Sequence, residues 1–189
     1  MEEYGILGVI GVVVLTLLSA PYRWYVKVIK DKNNVLEAFS SIDVQLKKRY
    51  DLIPNILTIA QKFMDHERAL LEDITNLRVK ANNVKNIEDK ATLDKEISSK
   101  MHQLFVNVEN YPQLKSDATM VQAMETYSEV EEHISAARRF YNSAVKELNN
   151  TVEIFPTSMM ASILNIRKYP FFESEEYEKK SINASDYLK

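Results

Sequence analysis

Counted in alternating steps of four and three, the chain places Val35, Phe39, Ile42, Leu46, Arg49, Ile53, Ile56, Ala60, Phe63, Glu67, Leu70, Ile74 and Leu77 on one line, and eleven of these thirteen positions are apolar. A repeat of about 3.5 residues is the spacing of a helix with one buried face. The same count from Met120 runs through Met124, Tyr127, Glu131, Ile134, Arg138, Tyr141, Val145, Leu148, Val152 and Phe155, with nine of eleven apolar. Two long seams of this kind commit the chain to helices that bury against each other.

Glycine usage points the same way. All three glycines, Gly5, Gly8 and Gly11, lie in the first eleven residues. Primed hairpin turns lean on glycine or asparagine, so a sheet-rich fold is disfavoured. Loops that bring backbone against phosphate are excluded for the same reason, and with them P-loop and dinucleotide chemistry. The net charge of -3, with acids and bases interspersed, offers no concentrated basic face for nucleic acid. The chain has no cysteine, which removes disulfides and thiolate metal sites.

The stretch Tyr4 to Tyr22, "YGILGVIGVVVLTLLSAPY", carries no charge. As a helix it covers about 28 Å of a ~30 Å hydrocarbon core. Arg23, Trp24, Tyr25 and Lys27 follow at once, the aromatic and cationic dressing of a membrane interface. A cleaved signal peptide would begin with bases, whereas Glu2 and Glu3 stand here, and Pro21 after Ala20 blocks the best cleavage site. Bases at Arg23, Lys27, Lys30 and Lys32 put the bulk of the chain on the cytoplasmic side. Gly8 and Gly11 make a band of small residues on which a second membrane helix could seat.

Between the seams, Ile97, Met101, Leu104 and Val108 mark a shorter helix that stops before Tyr111-Pro112. "KANNVKN", residues 80–86, reads as a loop, since asparagine tolerates left-handed backbone. Pro54 sits inside the first seam without a change of phase, so a kink is favoured over a helix start capped by Asp51. The turn is expected near "MDHE", with Asp65 capping the next helix. The expectation is an all-α protein: an anchor over residues 1–24, an up-and-down four-helix bundle over 25–172 with long first and last helices, and a polar flexible tail over 173–189. Its helices run over roughly 25–64, 66–80, 88–110 and 115–155.

If the first and last helices are antiparallel with residue 65 level with residue 115, Arg49 comes level with Glu131 and Asp43 nearly level with Arg138. A charge on a buried face is costly unless paired. Asp43, Arg49, Glu131 and Arg138 are therefore expected to form a structural charge clamp that fixes register. The same four residues are the candidates for a ligand-sensing or enzymatic site.

Several segments in order carry a family likeness: "SIDVQLKKRYDLIPNIL", "HERALLEDITNLR", "ENYPQLKS", "EEHISAARRFYNSAVKELNN" and "FPTSMMA…FFE". In these the chain resembles the LemA family of bacterial membrane proteins. The resemblance implies one membrane helix and a cytoplasmic helical bundle at the bacterial inner membrane, with the amino terminus outside. It implies no reaction. Members are often encoded near membrane zinc proteases, which makes a membrane protease the first candidate partner. The family's Tyr-Asn after the anchor stands here as Tyr25-Val26, and a tyrosine before Asn149 as Leu148.

No two of the three histidines, His66, His102 and His133, are spaced as metal ligands. Glu129 and His133 are four apart where a carboxylate-bridged bundle site needs three. The sequence therefore points to no catalytic residue, cofactor or metal. A membrane-anchored adaptor or scaffold is expected, partnered by the lipid bilayer and by a second copy or a larger membrane protein, without nucleic acid. The apolar run "TSMMASILNIRKYPFF", residues 157–172, either packs under the bundle or lies against lipid head groups.

Overall fold

The computed structural model describes residues 2–84 and 86–172, with side-chain surroundings from residue 19 onward and at Gly8 and Gly11 before it. Regular structure among them is helical throughout: α1 (Glu2–Ala60), a 3-10 turn (Asp65–Glu67), α2 (Arg68–Asn83), α3 (Ile87–Val108), α4 (Pro112–Lys115), α5 (Ala118–Glu153) and α6 (Thr157–Ile163). Two compact units are built from these: residues up to Ser40 with Phe140–Phe171, and Ser41–Arg139 with Phe172. Both α1 and α5 contribute to each.

Among the described residues no helix is long and apolar enough to cross a membrane. The side chains of the expected anchor lie for the most part outside the described residues, as does the expected tail over 173–189. Gly8 and Gly11 are exposed, and a Cβ added at either meets nothing within 4 Å. No contact within the described chain requires glycine there.

In the second unit the seam of α1 is buried through Ile42, Leu46, Arg49, Ile53, Ile56 and Ala60. Pro54 does not break α1, which continues to Ala60. A proline in a helix removes the N–H that would bond the carbonyl four residues earlier. That carbonyl belongs to Tyr50, and Arg78 Nε from α2 donates to it at 2.6 Å. Directions alternate among four helical segments. Arg78 against Tyr50 sets α2 antiparallel to α1, while α3 runs with α1, Lys90 meeting Asp43 and Ser98 meeting Arg49. α5 runs back, with the Phe105 and Tyr127 rings 5.2 Å apart.

The connections differ from the sequence expectation. α1 ends at Ala60, and the N–H of Met64 closes the turn onto Ala60 O at 2.9 Å while the Met64 side chain is fully buried beneath it. Asp65 caps nothing; it lies within the 3-10 turn, and α2 begins without a side-chain cap. Asn82 and Asn83 remain helical, so the loop is shorter than "KANNVKN". Asn86 does cap α3, its Oδ1 accepting from the N–H of Glu88 at 3.1 Å. Asp117 does the same for α5, accepting from Thr119 and Met120.

In the first unit the Phe39 and Tyr141 rings meet tilted, with centroids 6.1 Å apart, in the register that sets residue 65 level with residue 115. Buried Asp31 accepts from Thr151 Oγ1 at 2.6 Å and lies 3.1 Å from Lys27, which also reaches Glu147. The buried line slips from the expected Val152 to Thr151, because a helix of 3.6 residues per turn drifts against a 3.5 repeat. Phe155, the last seam position expected inside, is 73% exposed, since α5 has ended at Glu153. α6 follows and closes at Asn165, which has φ 54°. Ile166 N–H bonds Ala161 O and Asn165 N–H bonds Ser162 O, a Schellman closure in which asparagine serves for glycine. The chain then returns along α5, held where Asn149 makes both side-chain hydrogen bonds to the backbone of Tyr169 and Tyr141 donates to Pro170 O.

Candidate functional site, a buried arginine network

Arg49 is fully buried, and every hydrogen bond it makes reaches another helix. Its Nη1 donates to Ser98 Oγ and to Glu131 Oε1, each at 2.7 Å. Its Nη2 donates to the Asp94 carboxylate and, at 3.3 Å, to the Asp94 carbonyl. The second oxygen of Asp94 takes a hydrogen bond from Arg138 Nη2. Asp94 is thus shared by two guanidiniums on helices α1 and α5, and it is itself fully buried. The Arg138 guanidinium also lies 5.3 Å from the centre of the Phe172 ring, a cation–π contact.

Of the four expected clamp residues, Arg49 and Glu131 are brought together. Asp43 and Arg138 are not. Asp43 bonds Lys90 of α3, and Arg138 bonds Asp94. Asp43 follows the seam residue Ile42, and one residue turns a helix by about 100°, which carries its side chain off the α5-facing line. Sequence reasoning missed Asp94, Ser98 and Lys90. The signal was present: stepping back from Ile97 by three and then four reaches Asp94 and Lys90, both buried on the α3 seam. Starting that seam at the first apolar residue hid them.

Burial opposes the charge on Arg49, but Asp94 and Glu131 hold its pKa well above the ordinary value. It therefore stays protonated and serves as neither acid nor base. Burial likewise pushes the Tyr127 hydroxyl well above its usual range and that of Tyr50 to about 12. Two arginines against Asp94 and Glu131 cancel, leaving the network neutral. Among the described residues no group of three or more acids and histidines could hold a metal ion. Beside the network a cleft of about 320 Å³ opens between Ser98, His102, Phe105, Met124, Tyr127, Ser128 and Glu131.

The sequence matches the LemA family over residues 38–185, a span that contains every member of this network. The chain belongs to the LemA family. It is similar to Protein LemA of Metamycoplasma hominis, 26% identical over 163 residues that cover 85% of this chain and 74% of that protein. The LemA match takes in the parts of α1 and α5 that carry Arg49, Glu131 and Arg138, with α3, which carries Asp94.

Proposed function

We propose that this LemA chain is a helical adaptor or scaffold held at the cytoplasmic face of a bacterial membrane by one helix over Tyr4–Tyr22. The observation that carries the reading is the internal neutrality of its densest buried charge cluster. Arg49, Asp94, Glu131 and Arg138 spend their charges on one another, which fits a device for fixing helix register better than a reacting centre. The anchor is supported by the uncharged run and by the bases after it, of which Arg23 and Lys30 are exposed. Its partners are the bilayer and, in the membrane plane, a second copy or a larger membrane protein, a membrane protease first. Confinement to one bilayer lets weak contacts suffice.

Because the chain has no cysteine, a single one introduced near Lys189 tests the topology. An impermeant thiol reagent added to whole cells should label it only after lysis. Ready labelling from outside overturns the orientation and the adaptor reading with it.

The cleft beside Glu131 favours a second reading, a sensor for a small ligand. Filling it with Ser128→Trp separates the two. Unchanged crosslinks to membrane partners support the adaptor, and their loss in a folded protein supports the sensor.

A further inference from the structure

Large apolar side chains are not exposed evenly. Between Ser41 and Arg139 those exposed are Val44, Val79, Val106 and Val121, single valines on separate helices or turns. Scattered residues of this kind need no explanation. In the first unit, by contrast, Ile154, Phe155, Met159 and Ile163 fall within ten residues and are 59%, 73%, 57% and 75% exposed. Met159 and Ile163 are four apart, so they share one face of α6, while Ala161 is buried. A short helix that hides alanine and presents methionine and isoleucine is turned inside out for water.

The pairings within this unit say where that surface lies. Thr151 of α5 meets Asp31 of α1, and Glu147 meets Lys27. α5 runs toward the amino end of α1, so Phe155 comes about four residues, or ~6 Å, further that way than Thr151. That is about the level of residues 25–27 on α1, three to five residues past the end of the uncharged run, where Tyr25 and Val26 are exposed, with exposed Tyr22 just beyond. Arg23 and Arg167 are exposed in the same unit.

We infer that the turn at Ile154-Phe155 and the outer face of α6 form a second membrane contact, seated at the boundary of lipid head groups and acyl chains beside the anchor. The inference rests on the proposed anchoring and extends it. Apolar and aromatic groups near the end of a spanning segment, flanked by bases, suit that boundary, where buried side chains reach ~5–10 Å inward. The contact would hold the first unit against the bilayer at two points rather than let it swing on one helix.

Trp24 is the chain's single tryptophan, which makes the test direct. Full-length protein is reconstituted into phosphatidylcholine and phosphatidylglycerol vesicles whose acyl chains are brominated near the head group. Wild type reports on the anchor through Trp24. In a Trp24→Phe background, Phe155→Trp and Ile163→Trp report on the turn and α6, and Val106→Trp on the other unit. Fluorescence at Phe155→Trp and Ile163→Trp should fall about twofold, as expected at that depth, while Val106→Trp is unaffected. If Trp24 is quenched and both reporters match Val106→Trp, the second contact is overturned while the anchor stands. An unquenched Trp24 overturns the anchoring itself. Two reporters with circular dichroism on each guard against one variant that fails to fold.

Discussion

The two units bury charge by different means and treat apolar surface in opposite ways. In the second unit two arginines and two acids pair with one another, Glu131 at the edge of a cleft, and the exposed large apolar residues are lone valines. The first unit buries Asp31 with Thr151 and a half-exposed Lys27, and leaves tyrosine, phenylalanine, methionine and isoleucine in the open. The second unit covers its large apolar side chains almost entirely within itself, and the first leaves a cluster of them exposed. On the proposed reading, the first unit carries the outward contact and the second fixes register.

The strongest way to break that contrast is Asp94→Leu. It leaves Arg138 buried without a carboxylate, at a cost of about 3–5 kcal/mol. Chemical denaturation of the full chain in detergent micelles, followed by circular dichroism, should show it. A loss no larger than that of a surface substitution would mean the network does not close the second unit.

Alkali should act on both units. Burial raises Tyr50 and Tyr141 to about 12 and pushes Tyr127 well above its ordinary value. Each hydroxyl ionises near 10 when unfolded, so above that pH the unfolded chain sheds protons that the folded one retains. Stability is thus intact below pH 10 and falls as the pH rises toward 12. Tyrosinate absorbance should lag for these residues and then rise together with unfolding. Early titration of all ten tyrosines would contradict their burial.

Thr151→Val sharpens the comparison from the other side. Asp31 loses a hydroxyl donor but keeps Lys27, so about 1 kcal/mol should be lost, well short of Asp94→Leu. Phe155→Ser should change stability by no more than about 0.5 kcal/mol, because the ring is largely exposed. A large loss there would show that Phe155 belongs to an internal core.

Much of the helical layout was legible because the 3.5-residue repeat is a direct image of a buried face. Arg49 and Glu131 could be set opposite each other from two seams and one register. What could not be read was partner choice among several acids. Asp94 is invisible as a partner until α3 is placed beside α1, and Asp43, one residue off the seam, turns to Lys90. Helix ends were read only approximately: the expected starts at 88 and 115 lie near the observed ones, but the caps at Asn86 and Asp117 were not singled out, and Asp117 fell inside the expected helix. The break after Ala60 rests on the burial of Met64, a tertiary contact with no local signature. The exposure of Phe155 follows from where α5 stops, which the repeat alone does not state.

Whether the arginine network is held for mutual compensation can be decided by adding Arg138→Met to Asp94→Leu. Removing both members of the buried pair leaves Arg49 with Glu131, so no charge stays unpaired, and such replacements are often neutral or stabilising. The unfolding midpoint of the double variant should recover most of what Asp94→Leu alone loses, a coupling that independent sites do not show. A double variant that is less stable than Asp94→Leu, by the cost of Arg138→Met measured alone, would mean that the two residues do not compensate each other and that the network is not a clamp.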